Sequence, residues 1–306
     1  MRSPPENFLM GQGFCRFEEL EVPPELRVLV LAPHPDDFDV IAVTLRHLQQ
    51  QGNLIHLAVL TSGASGVEPG FCTGSDWETR SVLREHEQRR SCRFFGLPEA
   101  DFEFLRLNED QAGHLIADER NLERVRACLI ECAPDLVFLP HGNDTNADHR
   151  RTNFMMRQIA AFSALTFMAF LVRDPKTVEM RDQVVTFFGH EAAEWKAELM
   201  RFHESQQQRN LNVRGYGFDE RILRLNRETA ARVLGLYGSH VEALHGETPA
   251  GEASASKVPA GEASASEAAA GEICEKEVLP HETFAESFEI EIWEDGWPST
   301  LVPPAG

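Results

Sequence analysis

The chain has 306 residues and is 42% hydrophobic, enough for a sizeable core, yet its 29 basic and 49 acidic residues leave a net charge of −20. So acidic a surface repels a nucleic-acid backbone, and no basic stripe with interleaved aromatics offsets it; nucleic acid is excluded as a partner, whereas a small neutral or cationic ligand is not. The acidity is uneven: from Val241 to Gly306, 14 acidic residues against 2 basic ones give −12, leaving −8 for the first 240.

Residues 1–24 form a polar, Pro-containing lead-in. Arg27 to Ala32 (RVLVLA) is a short apolar run, the pattern of a strand buried on both faces. It ends in Pro-His-Pro-Asp-Asp, which places an imidazole and two adjacent carboxylates at the carboxyl edge of a sheet, where open α/β folds hold their sites. Asp39 to Gln51 reads as a covering helix and Leu54 to Thr61 as a second strand. The SGASG turn after it carries Gly63 to the same edge, either shaping a ligand pocket or serving only as a tight connection. Glu68 to Glu78 reads as loop. Thr79 to Phe95 is a polar helix with Arg84 and Glu87 three apart on one face, by themselves a surface salt bridge. Phe102 to Leu107 is a third strand, Leu122 to Glu131 a helix, and Asp135 to Pro140 a fourth strand that delivers a second polar cluster, HGNDTNADHRRT, at His141 to Thr152.

Strand and helix alternate about every 30 residues, the spacing of βαβ units, so the fold class is α/β with a mostly parallel sheet and helices on both faces. Right-handed crossovers bring strand ends to one edge, so His34, Asp36 and Asp37 meet Asp144, Asp148 and His149 across more than a hundred residues. Two histidines among carboxylates suit a divalent ion, and three protein ligands with an open position make a catalytic zinc site. Adjacent aspartates diverge, so one can bind metal while its neighbour takes a proton from water. The residues alone leave two readings open, a metal hydrolase and a noncatalytic ligand-binding α/β domain, because Asp-Asp is also a common helix cap or solvated turn.

The six cysteines, Cys15, Cys72, Cys92, Cys128, Cys132 and Cys274, are scattered, the usage of a reducing compartment. The first 25 residues show no signal-peptide pattern. The longest apolar candidate, Ile159 to Val172, spans 14 residues and contains Ser163 and Thr166, so it is read as a buried core helix and not a membrane span. A soluble cytoplasmic protein with no membrane insertion is expected.

PHPDD at Pro33 to Asp37, LTSGASG at Leu60 to Gly66, Arg84 and Glu87 followed by Phe95 and Gly96, and DHRRT at Asp148 to Thr152 resemble the PIG-L/LmbE family of zinc-dependent N-deacetylases. Lys196 with HESQ at His203 to Gln206, and FAESF at Phe284 to Phe288, extend the resemblance over most of Arg27 to Phe288. The resemblance implies a Rossmann-like fold with one zinc, or another divalent ion, that removes the acetyl group from an N-acetylglucosamine-type sugar or conjugate. By it, His34, Asp37 and His149 are the metal ligands, Asp36 the general base, and Arg84, Gly63, Ser205 and Gln206 lie close to substrate. Many members have Glu straight after the two aspartates; here Phe38 stands there and acid returns at Asp39, read as structural. The family commonly has His three residues before the last ligand, where this chain has Asn146. An amide donates to an oxyanion but delivers no proton at neutral pH. His141 or His203 then substitutes, or the reprotonated Asp36 acts alone, or the enzyme is slow.

Downstream, Val184 to Gly189 is expected as a fifth strand and Glu191 to Gln208 as a helix. RGYGFDERILRLN at Arg214 to Asn226 is either a cleft rim or a packed turn. Between about 246 and 277 a Gly-Glu-initiated repeat, almost without branched apolar or aromatic side chains, is expected to stay disordered as an insertion. FEIEIW at Phe288 to Trp293 alternates like a late edge strand. The expected organisation is one domain over 25–296 with a tail at 297–306. Its expected activity is metal-dependent N-deacetylation of a small amino-sugar substrate. The rivals are hydrolysis of another small amide or ester and a noncatalytic sugar-binding protein with a degraded site; homo-oligomerisation is left open.

Overall fold

Val28 to Ala32 are all buried, and their side chains feed two cores in alternation, which is why the run is apolar without a break. Val28, Val30 and Ala32 pack with one cluster, Leu29 and Leu31 with the other. The structure, a computed structural model, describes residues 15–74, 76–161, 165–173, 179–245, 283–294 and 297–300. Its elements are β1 (Cys15–Arg16), β2 (Arg27–Ala32), α1 (Ala42–Gln50), β3 (Leu54–Val59), α2 (Trp77–Phe95), β4 (Phe102–Phe104), α3 (Glu119–Cys132), β5 (Leu136–Pro140), α4 (Ala147–Ala161), β6 (Phe167–Val172), β7 (Val184–Phe188), α5 (His190–Arg201), α6 (Glu204–Arg214), α7 (Phe218–His245), β8 (Phe284–Glu294) and β9 (Trp297–Thr300).

The strands form one mixed sheet in the order β1-β7-β8-β6-β5-β2-β3-β4, with β9 also on β8. β4, β3, β2, β5 and β6 run parallel, and β8 is antiparallel to both β6 and β7. α1, α2 and α5 contribute to the core on one face, α3 and α4 to that on the other. This is the expected α/β architecture.

The chain runs outward from β2 through β3 to β4, then returns to place β5 on the other side of β2, paired Val28 to Leu136 and Val30 to Phe138. The carboxyl ends of β2 and β5 are therefore neighbours at a topological switch point, where the loops diverge and leave a crevice. His34 follows one strand and His149 the other.

Four expectations change. Ile159 to Val172 is not one helix: α4 stops at Ala161 and Phe167–Val172 is strand β6. A strand buried on both faces lacks the alternation that separates it from a buried helix. FEIEIW is no edge strand, because β8 lies between β6 and β7. Its acids are almost wholly buried and matched, Glu289 to Arg181 at 2.7 Å and Glu291 to Arg157 at 2.8 Å. The helix expected over Glu191 to Gln208 is two, α5 and α6, broken at Phe202 and His203. The segment read as lead-in is partly built into the fold, since β1 pairs with β7 and Phe17 and Leu20 are buried; beyond residue 296, β9 extends the sheet. The Gly-Glu repeat lies outside the described residues. No helix among the described residues is long and apolar enough to cross a membrane.

Candidate active site

The turn after β2 sends its two carboxylates in different directions. Asp37 Oδ2 accepts the His34 N–H at 2.8 Å, while Asp36 sits at φ +107°, a conformation L residues rarely adopt. Three contacts hold it there. The Asp36 N–H donates to Gln88 Oε1 at 2.8 Å, and Arg84 Nη2 donates both to Asp36 Oδ2 at 2.6 Å and to the Pro35 carbonyl. Backbone strain of about 1–3 kcal/mol persists only where the surroundings over-determine it, and such residues cluster at functional sites.

The loop between β5 and α4 supplies the opposite half. Asp144 Oδ1 accepts the Asn146 N–H at 2.7 Å, and Asn146 Oδ1 accepts the Asp148 N–H at 2.9 Å, a relay that starts α4 and sets the position of His149 in its first turn. Asp144 Oδ2 lies 2.8 Å from His149 Nδ1, and Asp148 Oδ2 lies 3.1 Å from His34 Nε2. Each carboxylate holds the far nitrogen of a histidine and so aims the other nitrogen inward.

Those inward nitrogens meet Asp37. His34 Nδ1 is 3.3 Å from Asp37 Oδ2, His149 Nε2 is 3.3 Å from Asp37 Oδ1, and one atom from each of the three residues lies within 4.8 Å of the others. Ligand atoms about 2.0–2.1 Å from a tetrahedral zinc are roughly 3.3 Å apart, so two nitrogens and a carboxylate in this arrangement fit such an ion. Burial opposes charge on His34, but Asp148 and Asp37 outweigh it and raise its pKa to about 9. Burial likewise opposes charge on His149, and Asp37 and Asp144 raise its pKa well above the ordinary value. Burial also works against ionisation of Asp37, yet the two histidines hold it well below the usual carboxylate range. Burial raises the pKa of Asp36 against the pull of Arg84.

A cleft of about 590 Å³ opens over these groups and is lined by His34, Asp36, Asp37, Asn146 and His149, with Gly63 and Gln206 on its wall. Gly63 sits at φ +62°, and a Cβ there would lie 2.9 Å from Pro35 Cδ, so the loop can approach the PHPDD turn only as glycine. Gln206 Nε2 donates to the Gly66 carbonyl at 3.2 Å.

Other expected residues are placed differently. Arg84 is no surface salt bridge: it is 2% exposed, and its guanidinium donates to Pro35, Asp36, Glu87 and Ser205. It reaches the cleft mainly as the residue that positions Asp36. Ser205 is fully buried and away from the cleft lining, donating to Glu87 through both its backbone and its hydroxyl. His203 is equally buried; its Nε2 meets Asp39, which also accepts from the Ser91 hydroxyl at 2.6 Å. His141 accepts the Asn143 N–H on Nδ1 and faces Glu289 at 3.3 Å through Nε2. Neither histidine lines the cleft.

Besides His34 and His149, the cleft is lined by His114, half-exposed, with Nδ1 3.4 Å from Asp148 Oδ2. Sequence reasoning missed it. Its signal was available, since it lies in the loop between β4 and α3, a third connection at the same edge of the sheet.

Residues 29–160 match the family described as PIG-L: GlcNAc-PI de-N-acetylase. No curated protein sequence matches the chain significantly. Among solved structures, the chain is similar to N,N'-diacetylchitobiose deacetylase from Pyrococcus horikoshii, at 19% identity and TM-score 0.55 over 67% of this chain and 79% of that one. It is also similar to GalB, the 4-carboxy-2-hydroxymuconate hydratase of Pseudomonas putida, at 16% identity and TM-score 0.54 over 86% and 95% of the two chains. A third is the A40926 pseudoaglycone deacetylase, at 15% identity and TM-score 0.52 over 68% and 93%. At these identities the likeness is one of fold. Together with the motifs over the same stretch, the match identifies residues 29–160 as a PIG-L domain.

Proposed function

We propose that the protein is a metal-dependent amide hydrolase that removes the acetyl group from an N-acetylglucosamine-type sugar or conjugate. The observation that carries the reading is the meeting of His34, Asp37 and His149 beneath the cleft, with the Asp36 carboxylate held beside them by Arg84. His34, Asp37 and His149 would hold a divalent ion, zinc by their chemistry, which would supply Lewis acidity for the attack of water on the acetyl carbonyl. Asp36, fixed by its backbone and by Arg84, takes the proton that the water loses as its oxygen adds to the carbonyl carbon. With Asn146 Oδ1 bonded to the Asp148 N–H, its NH2 group is left to donate to the developing oxyanion. His114, whose Nδ1 faces Asp148, has Nε2 for delivering a proton to the departing nitrogen as the C–N bond breaks. Asp144 and Asp148 do no chemistry; they hold the histidines in register.

The test is acetate release from N-acetylglucosamine, its disaccharide and simple conjugates between about pH 6 and 9. Asp36→Asn should lose about 10²-fold or more in turnover, and Asn146→Ala about 10-fold to 10³-fold. His114→Ala should lower turnover by about 10²-fold if it is the proton donor. No acetate from wild type with metal confirmed bound would overturn the reading.

One observation favours a second reading. The fold is shared with a hydratase over 86% of this chain, more than with either deacetylase. Hydration of a conjugated acid uses the same water activation but has no amine to protonate, a step the amide at Asn146 cannot serve. Loss of dienoic-acid absorbance in a preparation that releases no acetate would select it.

A further inference from the structure

We infer that the mouth of the same cleft is an oxyanion-binding subsite built on α6, and that the substrate carries a carboxylate or phosphate group beyond its reacting carbonyl. The inference deepens the hydrolytic reading and rests on it for the identity of the reacting end. Every Lys or Arg lining the cleft is an arginine: Arg84, Arg173, Arg209, Arg214 and Arg221. The lining carboxylates are Asp36, Asp37 and Asp148, all of them on the floor. Each is engaged there, Asp36 by Arg84, Asp37 by the two histidines, and Asp148 by His34 and Arg151. No Asp or Glu lines the wall made by α6 and the start of α7.

That wall presents Gln206, Arg209, Asn210 and Arg214, the i, i+3, i+4, i+8 face of α6, to the cleft, while Leu211 and Val213 are left exposed to solvent. Arg209 Nη1 is drawn in over the loop after β3: a Cβ on Gly66 would lie 3.3 Å from it and 3.2 Å from Gln206 Nε2. Neither Arg209 nor Arg214 has an ion-pair partner among the described carboxylates, in a chain of net charge −20. Their neighbours behave otherwise: Arg201 pairs with Asp219 at 2.7 Å and Arg224 with Glu220 at 2.5 Å, on the flanking helices. Two arginines without carboxylate partners on a cleft wall that carries no Asp or Glu concentrate positive potential there. The low-dielectric walls focus that field, and the guanidinium fork matches carboxylate and phosphate oxygens in pairs. Net charge argues for neutral or cationic ligands; the cleft reverses that sign locally.

The experiment uses the full-length protein and has two arms. In the first, calorimetry follows binding of inorganic phosphate and of malonate to wild type and to the paired variant Arg209→Gln/Arg214→Gln. Binding of at least one anion weakened about tenfold or more in the variant is expected, since charge-assisted bonds to two arginines are removed. Equal affinity in the two proteins would overturn the subsite, and the stronger of the two anions identifies the preferred group. In the second arm, kcat/KM for acetate release is compared among N-acetylglucosamine 1-phosphate, N-acetylmuramic acid and the neutral methyl glycoside. One anionic substrate should exceed the neutral one by about tenfold in wild type. That ratio should fall towards unity in the variant, chiefly through KM. Acetate release without charge preference contradicts the subsite and leaves the hydrolase standing. Arginine-dependent anion binding without acetate from any substrate supports the subsite and contradicts the hydrolase.

Discussion

Replacing Lys196 by Met should destabilise the protein by about 3 kcal/mol, at the lower end of the 3–5 kcal/mol range for breaking a buried ion pair. Lys196 on α5 and Glu286 on β8 are 0% and 1% exposed and lie 2.6 Å apart. Nζ also donates to the Val40 carbonyl at 2.6 Å and to Asn226 Oδ1 at 2.9 Å, so one ammonium ties α5, α7 and β8 to the turn beneath the cleft. Without it, Glu286 would be left in the core without its cationic partner, still accepting from the Thr44 N–H at 2.8 Å and hydroxyl at 2.5 Å and from the Val43 N–H at 3.2 Å. Those three donors keep the cost near the bottom of the range. For a domain of this size the loss corresponds to a fall of roughly 6–12 °C in Tm. The double variant Lys196→Met/Glu286→Gln removes both charges and should recover most of the loss, because a neutral replacement of a buried pair is often no worse than the pair itself. Thermal melts followed by circular dichroism on the two single variants and the double give the cycle. A single variant that loses less than about 1 kcal/mol, or a double variant no more stable than the worse single, would refute this account of how the FAESF strand closes the fold.

Gly63→Ala should lower both stability, by about 1–3 kcal/mol, and activity, since the added methyl meets Pro35 at 2.9 Å in a left-handed conformation; a melt and a rate at wild-type values would remove the argument for close approach. Asp144→Ala frees His149 Nδ1 and should weaken metal binding by about 10- to 100-fold with the three ligands intact, read by competition with a chelator. Glu289 is held down to about 2, its burial outweighed by His141 and Arg181. Its folded pKa is depressed, so its contribution to stability is complete above the ordinary carboxylate range and is lost as pH falls through the folded value. Glu289→Gln should therefore flatten the stability curve between about pH 4.5 and 2 relative to wild type, and denaturant midpoints with parallel acid limbs would contradict the pairing.

Short segments encode the part of the site that was legible in the sequence. PHPDD and NADH each fix their own local geometry, and βαβ spacing brings their two clusters to one edge; the family resemblance, not the spacing, singles out His34, Asp37 and His149 among them. Strand β6 was misread because a segment buried on both faces loses its period. The acids of β8 suggested solvent, since nothing in Phe288 to Trp293 announces that Arg157 and Arg181 will meet them from afar. His203, Ser205 and His141 lie close in sequence to motif residues, yet the side each presents depends on packing against Asp39, Glu87 and Glu289. The holding roles of Asp144 and Asp148 and the presence of His114 in the cleft are properties of three loops assembled at one sheet edge. No single loop carries them.

The central claim is that His34, Asp37 and His149 hold a divalent ion on which removal of an acetyl group depends. Its most direct test is the rate of acetate release from an N-acetylated amino sugar by one preparation measured three times: as purified, after removal of metal by a chelator, and after return of about one equivalent of zinc. The account predicts activity as purified, loss on stripping, and recovery on return of zinc, with His149→Ala failing to recover. Acetate release that survives stripping, or recovery equal in His149→Ala and wild type, would contradict it.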